Sequence, residues 1–428
     1  MPKPSGNSWE EIRHKRIITY TPECQNCPIN RYYSICRILL LCTGLWPYQN
    51  SSFRQIVIIF TTIMLVSGVV FQLTTFITTD YDIDILLHVL TYSVQWLAHT
   101  LKYNICCLKI RQMRNVMDQV RCDWTVLNNV QEVKIIKKYS AIGRFITLIA
   151  TLFTYGSTFI FVMILFLSSF FLQDITSNKN ESHLRQFPIR VECFIDQQKY
   201  FLLILLAIGI VGVCGITTAL ATEVLNMSYA YHACSLFEIA SYVINFSYRI
   251  EQAMHKNMMQ GIASPIERSS KKIICQGIIN GFKMYRRAIE FIEMFKVYCT
   301  WGYTLILPLG ILSLSINLYR FSRLIEIKEY YEMIISFLIV LGHFLYMFSI
   351  NYIGQKIIDH SSDVFHRAYN VQWYLAPLRV QKLLMLIMQR SMRRCIIVID
   401  GLFIPSFEGY TTLASMSISY FTVIFSLF

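Results

Sequence analysis

Seven stretches of this chain carry no charged side chain: residues 55–79, 85–101, 145–173, 200–222, 297–319, 333–354 and 409–428. The segments between them are rich in charge. A helix rises about 1.5 Å per residue and the hydrocarbon core of a bilayer is about 30 Å thick, so an apolar run of about 18 residues or more reads as a membrane span. The pattern predicts seven transmembrane helices, at about 53–78, 83–108, 141–172, 197–222, 296–319, 331–352 and 404–428. The expected fold class is an all-α integral membrane protein. The third run is longer than a bilayer requires and is expected to tilt or to project from it.

The remaining segments also read as helical. Residues 35–47 are apolar but short, which predicts a helix lying at the inner interface, with Trp46 at headgroup depth and Pro47 ending it. Residues 109–140 and 223–295 have both polar and apolar faces. Within the latter, 224–248 is apolar enough to pass for a span, but Glu223, His232, Glu238 and Asn245 point to burial against other helices. Residues 378–398 set Leu383, Leu384, Ile387 and Met388 on one stripe, while Arg390, Arg393 and Arg394 keep the segment out of the bilayer. The expected organisation is a cytoplasmic amino-terminal segment with an interfacial helix (1–52), spans one to four (53–222) and a cytoplasmic helical anchor (223–295). Spans five and six (296–352), a cytoplasmic anchor helix (353–403) and the last span (404–428) complete it. No repeat of equal halves is visible, which disfavours an inverted-repeat transporter.

Composition agrees with the pattern. Hydrophobic residues make up 54% of the 428 positions and charged ones only 15%, too few for an ordinary soluble protein. The net charge of +13 does not point to nucleic acid, because it lies beside the spans. Residues 1–54 hold seven Lys and Arg, 102–144 hold nine and 223–296 hold nine, whereas 80–84 has three Asp and no base, and 174–199 balances four against four. Basic loops stay in the cytoplasm. The amino terminus is therefore expected inside and the carboxyl terminus outside, opposite to a G-protein-coupled receptor. Asn180 begins an Asn-Glu-Ser triplet in an outer loop and is the expected glycosylation site. Asn50, Asn226 and Asn245 begin similar triplets inside or in membrane-facing segments and should stay bare. The first 34 residues lack the apolar centre of a cleavable signal peptide, so the first span is expected to direct insertion.

Candidate chemistry is sparse. Thirteen cysteines are scattered, Cys24-x-x-Cys27 has no second pair nearby, and no cofactor or metal is expected. No nucleotide-binding, zinc-protease or serine-hydrolase motif occurs, and His, Asp, Glu and Cys do not cluster within the spans, so an enzyme is not expected. Aromatics do recur. His88, Tyr92 and Trp96 repeat every four residues along the second span, Tyr155, Phe159 and Phe166 mark the third, Tyr200, Phe201 and Leu205 open the fourth, and Phe337 lies near the start of the sixth. They are either aromatic packing and interface belts or the lining of an apolar pocket for a small organic ligand. The last span carries Ser415, Ser419, Thr422 and Ser426, which can share a face. Such a stripe is either a small-residue packing surface or the wall of a water path closed by an apolar ring.

The final third resolves part of this. Gly354-Gln355, Ser361, Ala368-Tyr369, Trp373-Tyr374, Lys382 and the closing Ser419-Tyr420-Phe421-Thr422 follow one another at spacings that closely resemble the insect odorant receptor family, and Gly44-Leu45-Trp46-Pro47 resembles its amino-terminal region. The resemblance implies a ligand-gated, poorly selective cation channel that assembles as a tetramer, usually with a shared coreceptor subunit. It implies a small volatile organic ligand held in the outer half between the second, third, fourth and sixth spans, where His88, Tyr92, Trp96, Tyr155, Phe159, Tyr200, Phe201, Leu205 and Phe337 lie. It implies a central pore lined by the last helix, with Ser419 on its wall, Val423 as the hydrophobic gate, and Ser426 and Leu427 beside the outer mouth. The family's polar ring at that mouth is here only a serine, which bears on conductance and cation preference. The chain lacks the coreceptor's longer inner loop and its Gln-Leu-Lys ending, so it resembles a tuning subunit of a sensory-neuron plasma membrane. A transporter of a small apolar solute and a metabotropic seven-helix chemoreceptor are the alternatives.

Overall fold

The structure, a computed structural model, describes residues 28–78, 83–127, 129–176, 196, 199–259, 266–328, 330–371 and 373–427. Ten helices of nine residues or more organise them: α1 (Ser34–Cys42), α2 (Ser51–Leu73), α3 (Ile83–Leu108), α4 (Ile110–Val126), α5 (Val130–Thr176), α6 (Phe201–Met259), α7 (Ile266–Ile327), α8 (Tyr330–Tyr369), α9 (Leu378–Ser391) and α10 (Phe407–Leu427). Among the described residues there is no sheet, only an isolated pairing of Ile399 with Phe403. Six helical stretches, in α2, α5, α6, α7, α8 and α10, are long and apolar enough to cross a membrane. Helix α3 has the length, at 26 residues, but is more polar.

The sequence reading separates spans from mixed helices, whereas the chain runs straight through many of those boundaries. Helices α5, α6 and α7 have 47, 59 and 62 residues, hence lengths of about 70 to 90 Å. A helix has no reason to break where its environment changes from lipid to protein, provided no cap or breaker intervenes. The long third run is thus part of one continuous helix, α5. The segment after α1 does differ from expectation. Helix α1 ends at Cys42, not at Pro47, and Gly44 turns the chain at φ +72°. Trp46 is buried in the protein, with the Arg37 guanidinium 5.9 Å from its ring centre.

Burial is uneven along the rods. The main core gathers α1, α4, the beginning of α5, residues 220–244 of α6, 278–303 of α7, 350–368 of α8 and one face of α9, through Val380, Leu384, Ile387 and Met388. Helix α4 shows why: Met113, Val116, Met117 and Val120 follow helical spacing and are all buried. Toward the other end the described residues form small clusters, around Leu87 and Tyr319 and around Leu314 and Leu413. There the apolar side chains point outward instead, as Ile56, Phe60 and Ile63 do on α2 and Leu148, Leu152 and Phe153 on α5. Water drives burial in the first region, and lipid accepts apolar surface in the second. Of residues 224–248, held out of the membrane in the sequence reading, 224–247 lie mostly buried in the core.

Candidate functional site

The last helix is fixed from its first turn. Asp400 and Gly401, at φ +52° and +73°, reverse the chain, and Ile399 N–H donates to the Phe403 carbonyl at 2.8 Å. The returning segment then meets α8 at Gly354. A Cβ there would lie 2.1 Å from the Pro405 carbonyl oxygen, so only glycine permits the approach. One residue on, Gln355 Oε1 accepts from Phe407 N–H at 3.2 Å, while Asn351 Oδ1 accepts from Ser406 N–H at 3.1 Å and Ser406 Oγ from Gly409 N–H at 3.0 Å. These are amides that a helix start leaves without partners. Side chains of α8 thus cap α10. Further along α8, Ser361 Oγ accepts from Cys395 N–H at 3.1 Å. Asn351, Gly354 and Gln355 clamp the start of the last helix, and Ser361 holds the segment that leads to it.

Helix α10 has two faces. Gly409, Leu413 and Ser417 are buried against α7 and α8, where Ser315 Oγ donates to the Ser417 carbonyl at 2.9 Å. The opposite face exposes Thr411, Thr412, Ser415, Ser419, Thr422 and Ser426. Val423, on that side, is 54% exposed, and Leu427 is also exposed. Thr422 and Ser426 hydroxyls donate to the Ser419 and Val423 carbonyls at 2.7 and 2.8 Å. Their protons are used within the helix, so the oxygen lone pairs remain for groups outside it.

The predicted ligand residues are spread over several contacts. His88 and Tyr92 are buried on α3 with ring centres 5.5 Å apart, and the Arg320 guanidinium of α7 lies 5.7 Å from the Tyr92 ring. Trp96 turns to α2 and α6, where Gly68 and Gly215 make room: a Cβ at Gly215 would lie 2.7 Å from its ring. Tyr155 hydroxyl meets Thr217 Oγ1 at 2.9 Å, joining α5 to α6. Phe201 is buried and Leu205 half-buried. Phe159, Tyr200 and Phe337 stand on the outside of the single chain, Phe159 being 66% exposed. Phe166 and Asn180 lie outside the residues whose side chains are described.

Two polar nodes escape the sequence reading, which counts Lys102 among the basic loop residues and expects Glu223 and His232 to be buried against other helices, but pairs none of them. In the first, Lys102 of α3 pairs with Glu223 of α6. Tyr303 of α7 and Tyr346 of α8 donate to the same carboxylate at 3.0 and 3.1 Å, and Lys102 Nζ donates to Tyr346 at 3.0 Å. Four helices meet on one ion pair. In the second, Asp123 of α4, fully buried, accepts from Arg287 Nε of α7 at 2.5 Å and from Gln119 at 2.9 Å, and pairs with His232 of α6 at 2.8 Å. Glu238 is likewise paired with Arg367 at 2.7 Å. The signal for the first node was available: Lys102 and Glu223 are the first charges after two uncharged runs, at matching depth. Burial pushes the thiols of Cys36 and Cys395, in the core outside the spans, up to about 11.

A family profile described as "7tm Odorant receptor" matches residues 82–418, most of the chain. The protein belongs to the insect odorant receptor family. It is a multi-pass receptor of the plasma membrane and not an enzyme. The fold is similar to that of the insect olfactory receptor OR5 from Machilis hrabei in complex with eugenol, with a TM-score of 0.67, 13% identity, and coverage of 94% of this chain and 98% of that one. A second structure of the same receptor gives a TM-score of 0.64 at 13% identity over 98% of this chain and all of the other. No curated sequence matches the chain.

Proposed function

We propose that this odorant receptor is a ligand-tuning subunit of a ligand-gated, non-selective cation channel, assembled as a tetramer with a coreceptor. The outward face of α10 carries the reading: a ladder of hydroxyls interrupted by Val423, fixed to α8 at its base and left uncovered in the single chain. Brought around a shared axis, four such faces make a wettable wall with one apolar ring, which blocks ions by dewetting. Helix α3 is the seventh crossing. Its lower hydropathy is explained by direction, since Thr91, Ser93, Thr100 and Lys102 are buried against neighbouring helices and away from lipid. The loop charges then place the amino terminus in the cytoplasm and the carboxyl terminus outside.

The ligand is a small volatile organic molecule. His88, Tyr92, Trp96, Tyr155, Phe201 and Leu205 are its candidate contacts on the protein side of their helices, and Phe159, Tyr200 and Phe337 could contribute only by turning inward on ligand binding. Ligand favours a packing in which α10 moves outward, Val423 side chains separate and cations pass, by shifting a pre-existing equilibrium. Ligand-evoked current recorded with and without a coreceptor tests the assignment, together with Val423→Ser. The variant should raise resting current at normal surface expression. Unchanged resting current would remove Val423 from the gate, and ligand uptake without unitary current would favour a transporter.

A further inference from the structure

The Lys102–Glu223 node borders a crevice between α3, α6 and α7, and its hydrogen bonding does not close on itself. The Tyr303 hydroxyl has one proton and donates it to Glu223 Oε2 at 3.0 Å. Its oxygen must therefore accept from Asn226, whose Nδ2 lies 2.9 Å away. This fixes the orientation of the Asn226 amide. Its Oδ1 is left buried, with no protein partner among the described residues. Lys102 has three N–H groups, and Glu223 and Tyr346 take two of them. Thr222 donates its proton to the Ala219 carbonyl at 2.9 Å, so its oxygen is an acceptor. Lys102, Thr222 and Asn226 all line the one crevice, of which about 20 Å³ is open to the centre of a water molecule.

We propose that this crevice is a binding site for a single water molecule, which accepts from Lys102 Nζ and donates to Asn226 Oδ1 and Thr222 Oγ1. The volume suits one water, and three hydrogen bonds are the usual complement of a buried one. Burial makes the site necessary, because an amide oxygen left without a donor in a packed interior is costly. The inference rests on the fold and the node alone, so it stands or falls independently of the channel reading.

Radiolytic hydroxyl labelling of the full chain in lipid nanodiscs tests it, with a radical scavenger in the bulk solution so that only bound water labels its neighbours. Cys106 and Cys299 line the crevice, whereas Cys36 and Cys234 are buried elsewhere. The expected result is oxidation of Cys106 and Cys299 while Cys36 and Cys234 stay unlabelled. Gly302 also lines the crevice, and a Cβ on it meets no atom within 4 Å. Gly302→Leu should therefore fill the space and abolish the label without touching Lys102, Glu223 or Asn226, and Gly302→Ala, a smaller change, should weaken it. Silence at Cys106 and Cys299 in the unaltered chain would overturn the proposal. So would undiminished labelling in a Gly302 variant that keeps the melting temperature of the parent.

Discussion

Replacing the two members of the Lys102–Glu223 pair separately and together should give unequal effects, and their order follows from the contacts. The side chains are 7% and 13% exposed, so solvent screens them little. Glu223→Leu removes the counter-charge and also the acceptor of two tyrosine hydroxyls, leaving the ammonium only neutral partners such as Tyr346 at 3.0 Å. Leaving one member of a buried pair uncompensated costs about 3–5 kcal/mol, a large part of a domain stability of about 5–15 kcal/mol. Lys102→Met leaves the carboxylate with both tyrosine donors, and hydrogen bonds to a charged group contribute about 1.5–3 kcal/mol each. It should therefore cost less than Glu223→Leu. The double variant carries no buried charge and should recover most of the loss, leaving the two tyrosine hydroxyls as the residual penalty. Thermal melting of detergent-solubilised protein, followed by size-exclusion fluorescence, reads the four forms. A double variant as unstable as Glu223→Leu would refute the electrostatic account and leave shape alone as the cause. Single variants that melt with the parent would show that the node does not hold the helices together.

Other outcomes follow from the same contacts. Gly354→Ala brings a methyl group against the Pro405 backbone, which must shift at a cost of about 1–3 kcal/mol; Asn351 and Gln355 then lose their grip on the α10 amides, and a melt combined with resting current should show both effects. Asp123→Leu strands Arg287 and His232 beside an apolar side chain, so it should destabilise by about 3 kcal/mol or more and lower surface expression, without changing ligand preference among the channels that survive. At pH 8 a maleimide should modify Cys42, which is exposed, and spare Cys36 and Cys395 in the folded chain. Burial raises those two thiols to about 11, so the reactive thiolate is scarce below that pH and moving from pH 7 to 9 should not expose them, as peptide mapping would check.

The clamp between α8 and α10 shows how far the sequence could be read. Gly354, Gln355 and Ser361 stood out by their spacing, and that spacing resembles a family. Why a glycine and an amide are needed there became visible only when Pro405 and Phe407 lay against them. The aromatic repeats illustrate the opposite limit. Periodicity put His88, Tyr92 and Trp96 on one stripe of α3, yet neighbouring residues of a stripe turn to different partners, Tyr92 to α7 and Trp96 to α2 and α6. Periodicity fixes direction around a helix and says nothing of which helix lies there.

What the sequence determined by itself was the class: uncharged runs long enough for a bilayer, basic segments beside them, and a hydroxyl-bearing last helix. These are local properties of the solvent each segment needs, and they can be summed residue by residue. The tertiary structure alone decided which charges meet. Lys102 and Glu223 lie 121 residues apart, and Asp123 and His232 are 109 apart. Hydropathy places such residues at the edge of a span but carries no information on partner choice. A buried charge is stable only opposite its complement, and the packing of the long helices brings the two together.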